Sequence, residues 1–225
     1  MRALRFMLLM VVTMIVMCAE VSAEGVPEKI PPVRQETSGG QVIVVEAASS
    51  SSFKGTLSLR EKVNGEWKTT LSGIPVVLGK NGIGKSREGD GKTPVGTFPI
   101  GHAFGTAAKP AGLKLTYALA GRQDYWVDDL TSADYNKWVH YTGNPAAKWR
   151  SFERLYIPQY KYAVVIRYND NPIVKGKGSA IFMHIWRSQD KPTAGCVAMS
   201  EANLLKVMSK LDPKQSPVIT ITRTQ

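Results

Sequence analysis

Cysteine is scarce in this sequence. Two cysteines occur among the 225 residues, and Cys18 lies in an N-terminal segment that we expect to be removed. The mature chain would then keep Cys196 alone, which excludes an internal disulfide bond. A single thiol is open to oxidation in an oxidising compartment, so its presence favours a chemical role for Cys196. The alternative is that Cys196 packs in the core, as many free cysteines do.

Long hydrophobic runs are also lacking. The apolar stretch from Phe6 to Ala19 has 14 residues, which is too short to span a bilayer comfortably. Arg2 and Arg5 precede it, and the small residues Val21–Ala23 follow it. This pattern is typical of a secretory signal peptide over residues 1–23, with an uncleaved anchor as the alternative. We therefore expect an exported protein of the periplasm or cell envelope.

Acidic residues are fewer than basic ones, 18 against 29, and the formal net charge is +11. A basic exported protein favours anionic surfaces, including wall polymers and lipid head groups. The sequence has no basic run with interleaved aromatic residues, and together with the export signal this argues against nucleic acid as a partner. The alternative interpretation is that the charge is spread evenly over a soluble surface.

Short runs with strand character make up most of what remains. Asn64-Gly65 stands between two alternating runs and predicts a tight β-hairpin. Residues 24–40 are rich in Glu, Pro, Ser and Gly and predict a flexible lead-in, followed by a single domain over residues 41–225. The predicted strands are Gln41–Ala47, Thr56–Val63, Glu66–Leu71, Ile74–Leu78, Tyr162–Tyr168, Ala180–Ile185 and Val218–Thr222.

Helical patterning is sparse. Ser200 is a plausible N-cap, and the apolar residues between Leu204 and Leu211 recur at helical spacing until Asp212-Pro213 ends the run. Residues Thr131–Val139 suggest a shorter helix. The pattern as a whole predicts a mainly β fold with a few short helices.

A glycine-rich segment, Gly79–Ser86, matches the phosphate-loop pattern letter for letter and follows a predicted strand. That pattern works only where its last residues open a helix whose N-terminal amides hold phosphate. Here Arg87–Pro94 brings further glycines and a proline, which cannot start a stable helix. We therefore interpret the segment as a connection between strands and expect no nucleotide.

The candidate chemistry lies around His184 and Cys196, twelve residues apart on a predicted strand and a tight turn. A thiol alone is little ionised at neutral pH. We expect the imidazole of His184 to lower the pKa of the Cys196 thiol, to keep it ionised and later to protonate a leaving amine. The amides around Gly195 and Cys196 could bind the oxyanion of a tetrahedral intermediate. We expect either Asp190 or a backbone carbonyl to hold the other imidazole nitrogen.

Three histidines and a cysteine could in principle bind zinc. The spacing of His102, His140, His184 and Cys196 matches no pattern of metal ligands, so we expect neither a metal nor another cofactor.

His184 and Thr193–Cys196 together resemble the motif of the peptidoglycan L,D-transpeptidases with the YkuD-type catalytic domain, a histidine followed after a gap by Ser/Thr-His-Gly-Cys. Gly91–Phe98 is similar to the upstream Thr-Pro-x-Gly-x-Phe segment of that family. The likeness runs from about residue 74 to 221 and includes features of a branch that reads Pro-Thr-Ala-Gly-Cys, namely Trp126–Asp129, Tyr135-Asn136 and Tyr168-Asn169.

The resemblance implies a YkuD-like β-sandwich or mixed β-barrel with the thiol in a cleft. It implies that Cys196 is the nucleophile and His184 the base, with Thr193, Ala194 and Gly195 holding the oxyanion and the substrate. The implied partners are peptidoglycan stem peptides, and no cofactor is needed.

The implied reaction begins when Cys196 attacks the peptide bond after the third residue of a stem tetrapeptide, usually meso-diaminopimelate. D-Alanine leaves, and an amine of a second stem peptide or of an envelope protein then resolves the thioester. An L,D-carboxypeptidase using water and a non-catalytic wall-binding module are the alternatives. Ala194 stands where most members have a second histidine, and Ala198 replaces an arginine, so the way in which the substrate is held is expected to differ.

Overall fold

The structure is a computed structural model that describes residues 39–224. The predicted signal peptide over residues 1–23 and nearly all of the predicted lead-in over residues 24–40 lie outside this range. Within it, strands dominate and helices are few and short, which confirms the prediction of a mainly β fold. No helix in this range is long and apolar enough to cross a membrane.

Twelve strands form the framework of the described chain. They are β1 (Gln41–Ala47), β2 (Lys54–Val63), β3 (Glu66–Val77), β4 (Gly96–Gly105), β5 (Tyr117–Leu119), β6 (Asp124–Val127), β7 (Lys137–His140), β8 (Phe152–Arg154), β9 (Ala163–Ile166), β10 (Phe182–Ile185), β11 (Val197–Met199) and β12 (Val218–Arg223). The helices are α1 (Pro145–Lys148) and α2 (Glu201–Lys210), with 3-10 turns at Pro158–Tyr160 and Pro213–Gln215.

The main sheet has nine strands in the order β12-β1-β2-β3-β11-β10-β9-β4-β5. Strand β12 also pairs with β4, so the sheet closes on itself and β5 is added beside β4. The pairs β1–β12, β10–β11 and β4–β5 are parallel and the others antiparallel, which makes this a mixed barrel. A second sheet has the order β7-β6-β8.

Local sequence signals explain the β2–β3 hairpin and helix α2. Asn64 and Gly65 have φ values of 53° and 88°, the left-handed conformation that a tight hairpin turn requires. The Ser200 hydroxyl accepts the N–H of Asn203, as predicted for an N-cap, and Leu204 is fully buried. The apolar run Ile74–Leu78, predicted as a separate strand, instead continues β3 after the hairpin.

The predicted helix over Thr131–Val139 is wrong. This segment forms turns and then enters β7. The Asp129 carboxylate accepts both the N–H and the hydroxyl of Thr131, and the Ser132 hydroxyl accepts the N–H of Asp134. Short polar side chains that bond to nearby backbone offer the chain an alternative to a helix, and Asn136 then takes a left-handed φ of 57°.

An aromatic cluster fixes the start of β10, the strand that carries His184. The Phe182 ring lies 4.9 to 5.6 Å, between centroids, from the rings of Phe104, Trp126 and Tyr160, each in an edge-to-face arrangement. Phe182 is fully buried, and Cys196 belongs to the same cluster of packed residues. The thiol of Cys196 therefore packs against this cluster of buried aromatic side chains.

Candidate active site

All five predicted site residues line one cavity of about 470 Å³. Strands β10 and β11 pair in parallel with His184 opposite Ala198, and Cys196 directly precedes β11. The loop between the two strands therefore brings His184 and Cys196 to the same cavity. Thr193, Ala194 and Gly195 belong to the turn before the cysteine and lie on the same wall.

His184 is held by its own strand. Its Nδ1 lies 2.9 Å from the carbonyl oxygen of Ile185, and because a carbonyl can only accept, Nδ1 carries the hydrogen. The lone pair of the neutral ring is then on Nε2. Burial lowers the pKa of His184 to about 4, and the charge of Arg187 acts in the same direction. A neutral imidazole with its lone pair on Nε2 can accept a proton at neutral pH.

Of the two partners expected for the second imidazole nitrogen of His184, the carboxylate of Asp190 is wrong. Asp190 is exposed and pairs with Lys54, with 2.7 Å between its Oδ1 and the lysine Nζ. Of the two expected partners, the structure therefore has the backbone carbonyl. Asp190 belongs to the loop after β10, and its exposed carboxylate pairs with the first residue of β2 instead.

The Cys196 sulfur accepts the N–H of Phe182 at 3.4 Å and donates its hydrogen to the carbonyl of Ala180 at 3.3 Å. Burial, and then the negative charge of Glu153, raise the pKa of the Cys196 thiol to about 12, although the Phe182 amide and Lys85 act in the opposite direction. The thiol is therefore neutral at rest. This differs from the expectation that His184 keeps it ionised, and proton transfer must accompany attack.

Thr193 organises the turn that carries the thiol. Its hydroxyl accepts the N–H of Gly195 at 3.1 Å and donates to the carbonyl of Cys196 at 2.8 Å. A Cβ at position 195 would lie 2.9 Å from the carbonyl oxygen of Lys92, so only glycine fits there without a shift. The Gly195 amide, expected to bind an oxyanion, thus bonds to Thr193 in this state, while Ala194 is exposed.

A buried amide joins the residues that carried the likeness to the Pro-Thr-Ala-Gly-Cys branch. The Asn136 Oδ1 accepts from the indole of Trp126 at 2.9 Å and from the N–H of Ala180 at 3.2 Å. Its Nδ2 donates to the carbonyls of Tyr168 and Asn169. Ala180 has a left-handed φ of 53° and offers its carbonyl to the thiol, so this network positions a hydrogen-bond acceptor for Cys196.

Tyr160 and Glu153 are residues of the cavity that sequence reasoning missed. The Tyr160 hydroxyl donates to the Glu153 carboxylate, and its ring stands edge-on to His184 with 5.2 Å between centroids. Burial raises the pKa of Glu153 to about 7, with Asp128 and Glu88 adding repulsion, although the bond from Tyr160 opposes the rise. No sequence motif connects these side chains with Cys196, because they come from β8 and the following turn.

The cavity carries charges of both signs. Glu88 accepts the hydroxyls of Tyr135 and Ser179 at 2.6 and 2.7 Å. Acidic and basic groups share the wall, so a ligand with both an ammonium and a carboxylate would find complementary charges. The acidic lining residues are Glu88, Asp128 and Glu153, and the basic ones are Lys80, Lys85, Arg187 and Lys191.

The glycine-rich segment connects strands, as interpreted from the sequence. No helix begins after Ser86. Isolated bridges join Gly79 to Thr193 and Ile83 to Thr93 instead, which ties the segment to the cysteine turn.

Among residues 39–224, no group of three His, Cys, Asp or Glu side chains is arranged to hold a metal ion. His140 pairs with Asp124 at 2.9 Å, and His102 faces the rings of Phe104 and Trp138. Neither histidine lines the cavity of Cys196.

Comparison with known proteins gives one family. Residues 59–220 match the model of the YkuD L,D-transpeptidase catalytic domain. A search of curated proteins gives no match. Among solved structures, the chain is similar to the helical cell shape determining protein Pgp2 from Campylobacter jejuni, with a TM-score of 0.43 and 16% identity over 82% of this chain. The chain spans 49% of the length of that structure. Because the family model matches more than half of the chain, the protein belongs to the L,D-transpeptidase family of enzymes with a YkuD catalytic domain.

Proposed function

We propose that the protein is a peptidoglycan L,D-transpeptidase in which Cys196 is the nucleophile and His184 the general base. One observation carries the proposal. The two side chains line the same cavity, and the bond from Nδ1 to Ile185 leaves the lone pair of His184 on Nε2. The YkuD match supports the reaction class, and the N-terminal sequence supports export to the periplasm or cell envelope.

Acylation begins with transfer of the Cys196 thiol proton to Nε2 of His184. The sulfur then attacks the carbonyl carbon between the third residue of a stem tetrapeptide and its terminal D-alanine. The C–N bond breaks, the imidazolium returns its proton to the leaving amine, and D-alanine departs. The product is a thioester between Cys196 and the remaining tripeptide.

Deacylation runs through the same two side chains. The amine of an acceptor attacks the thioester carbon, its extra proton passes to His184, and the sulfur takes a proton back as the C–S bond breaks. The products are a new amide and the free thiol, so no oxidant or cofactor is consumed. A stem peptide as acceptor gives a 3→3 crosslink, and an envelope protein as acceptor gives a wall-attached protein.

The charges of the cavity support a stem peptide as substrate. A stem with a diamino acid at its third position carries both carboxylates and a free ammonium. The acidic residues Glu88, Asp128 and Glu153 suit the ammonium. The basic residues Arg187 and Lys191, which line the same cavity, suit the carboxylates.

The experiment is digestion of tetrapeptide muropeptides in the presence of an isotopically labelled D-amino acid, with product mass analysis. The wild type is expected to release D-alanine and to incorporate label, and Cys196→Ala to do neither while remaining folded. Asp190→Asn is the control, because Asp190 is exposed and outside the cavity, and it should match the wild type. D-Alanine release without label would assign an L,D-carboxypeptidase, and full activity of Cys196→Ala would refute the nucleophile.

A further inference from the structure

Lys85 is a lysine with almost no exposure to solvent. Its side chain is 3% exposed, and its ammonium lies 2.9 Å from the Asp90 carboxylate, which is 7% exposed. Burial of a charged pair costs free energy that must be recovered through close pairing and further hydrogen bonds. Lys85 belongs to the glycine-rich segment that resembled a phosphate loop, and the proposed reaction has so far given it no role.

Asp90 is the fixed partner of this pair. Its carboxylate accepts the backbone N–H groups of Ser86, Arg87 and Lys92 at 2.8 to 3.1 Å. Although burial opposes ionisation, these bonds and the bond from Lys85 hold the pKa of Asp90 well below its usual range. The carboxylate is therefore negative and immobile, and it sets the place of the Lys85 ammonium.

Two glycines adjoin the Lys85 side chain, and one of them directly precedes the thiol. A Cβ at Gly178 would collide with the Cε of Lys85. A Cβ at Gly195, the residue before the thiol, would lie 3.7 Å from the Lys85 Nζ. Lys85 also lines the same cavity as Cys196. The ammonium thus lies next to the turn that carries the sulfur, with no side chain of residue 195 between them.

We propose that the Lys85 ammonium stabilises the thiolate of Cys196 when His184 takes its proton, and that Asp90 is the positioning residue for Lys85. The inference rests on the proposed function, in which Cys196 is the nucleophile. Lys85 keeps its own protons throughout, and its contribution is the field of a fixed positive charge. The residues two before and two after the thiol, Ala194 and Ala198, carry no charge, so the positive charge comes from a residue of another loop.

Charges of both signs face the thiol. Glu153 from β8, Tyr160 from the following turn and His184 on β10 line its cavity. Glu88 and Asp128 also line the cavity, as do Lys80, Arg187 and Lys191. Glu153 raises the pKa of the thiol and Lys85 lowers it. Removal of the Glu153 charge should therefore increase the fraction of thiolate, and removal of the Lys85 charge should decrease it.

The test is the rate of Cys196 alkylation by iodoacetamide between pH 7 and 10, on the full chain. Lys85→Met should react about tenfold more slowly at each pH, which corresponds to a rise of about one unit in the thiol pKa. Lys85→Gln keeps a donor for Asp90 and should show the same slowing, and Lys85→Arg should stay close to the wild type. Lys62→Met, on the exposed hairpin, is the control for a charge change far from the cavity.

Glu153→Gln removes the negative charge that raises the pKa of the thiol, so it should react faster than the wild type. A variant that merely loosens the cavity exposes the thiol and also reacts faster, so slowing in Lys85→Met and Lys85→Gln is the diagnostic result. Equal or faster alkylation in both folded lysine variants would overturn the inference.

The two proposals fail separately. Slower alkylation in the lysine variants, beside a Cys196→Ala variant that still releases D-alanine, would refute Cys196 as the nucleophile and support the field of Lys85. Unchanged alkylation in those variants, beside a Cys196→Ala variant that is inactive, would overturn the role of Lys85 alone.

Discussion

The ring of Tyr160 stands edge-on to the ring of His184, at an interplanar angle of 83° and a centroid distance of 5.2 Å. Tyr160 is itself held by its hydroxyl bond to Glu153 and by the ring of Phe182. His184 is thus fixed on one side by the carbonyl of Ile185 and on the other by an aromatic ring. The orientation of Nε2 depends on both contacts.

Removal of the Tyr160 ring should leave the imidazole of His184 in place but allow it to change its orientation. We predict that Tyr160→Leu lowers kcat for D-alanine release by about 10- to 100-fold, because a misplaced imidazole loses the geometry of proton transfer. Tyr160→Phe keeps the ring and should retain most of the activity. Steady-state kinetics on a defined tetrapeptide measure the effect. Equal kcat values for wild type and Tyr160→Leu would contradict the orienting role.

Glu153 should make stability fall with rising pH. Its pKa is about 7 in the folded protein and 4.5 in the reference state, so the folded state binds the additional proton between these values. By linkage, its contribution to stability is therefore lost as pH rises from about 4.5 to about 7. We predict that Glu153→Gln, whose amide oxygen can still accept from Tyr160, is more stable than the wild type at pH 8 by about 1–3 kcal/mol.

Thermal unfolding of both proteins at pH 5 and pH 8 measures this difference. The melting temperature of Glu153→Gln should exceed that of the wild type by a few degrees at pH 8, with a clearly smaller gain at pH 5. A gain that is the same at both pH values would show that Glu153 does not titrate in this range.

The Thr193 hydroxyl should be needed for the shape of the cysteine turn. Thr193→Val removes its bonds to the Gly195 amide and the Cys196 carbonyl, and we predict a loss of about 1–3 kcal/mol in stability. D-Alanine release should fall by about 100-fold, because the sulfur is displaced. Thr193→Ser, which keeps the hydroxyl, is the matched control. Denaturant unfolding and activity assays that find Thr193→Val equal to Thr193→Ser would refute this account.

The two departures from the family motif differ in their surroundings. Ala198 is fully buried on β11, whereas Ala194 is exposed at the turn. We predict that Ala198→Arg costs about 3 kcal/mol or more, because it buries an unpaired charge, and that Ala194→His changes stability by less than about 0.5 kcal/mol. Thermal unfolding compares the two variants directly. Similar melting temperatures would mean that the barrel accommodates an arginine beside His184.

Local signals made part of the fold predictable. The Asn64-Gly65 turn and the Ser200 cap each act within a few residues, so the hairpin and helix α2 could be predicted from the sequence. The helix predicted over Thr131–Val139 was wrong because side-chain bonds from Asp129 and Ser132 favour turns there. The closure of the sheet depends on pairing between β12 and β4, which are far apart in the sequence. Local sequence patterns do not predict which distant strands pair or in which register.

Only the part of the candidate site that lies close together in the sequence could be predicted. Cys196 and His184 are twelve residues apart and share a strand-turn pattern, so the sequence alone indicated the pair. Lys85, Glu153 and Tyr160 reach the cavity through long-range folding, and no spacing connects them to the thiol. The neutral state of the thiol could not be predicted either, since it follows from burial and from the charge of Glu153.

Peptide mapping of the enzyme trapped during turnover tests most directly whether Cys196 is the nucleophile. Wild-type protein is mixed with a stem tetrapeptide, quenched in acid and digested for peptide mapping. We predict an adduct with the mass of the tripeptide acyl group on the peptide containing Cys196, formed together with free D-alanine and absent from His184→Ala. Steady release of D-alanine by a Cys196→Ala variant, with no acyl adduct on the wild type, would contradict it.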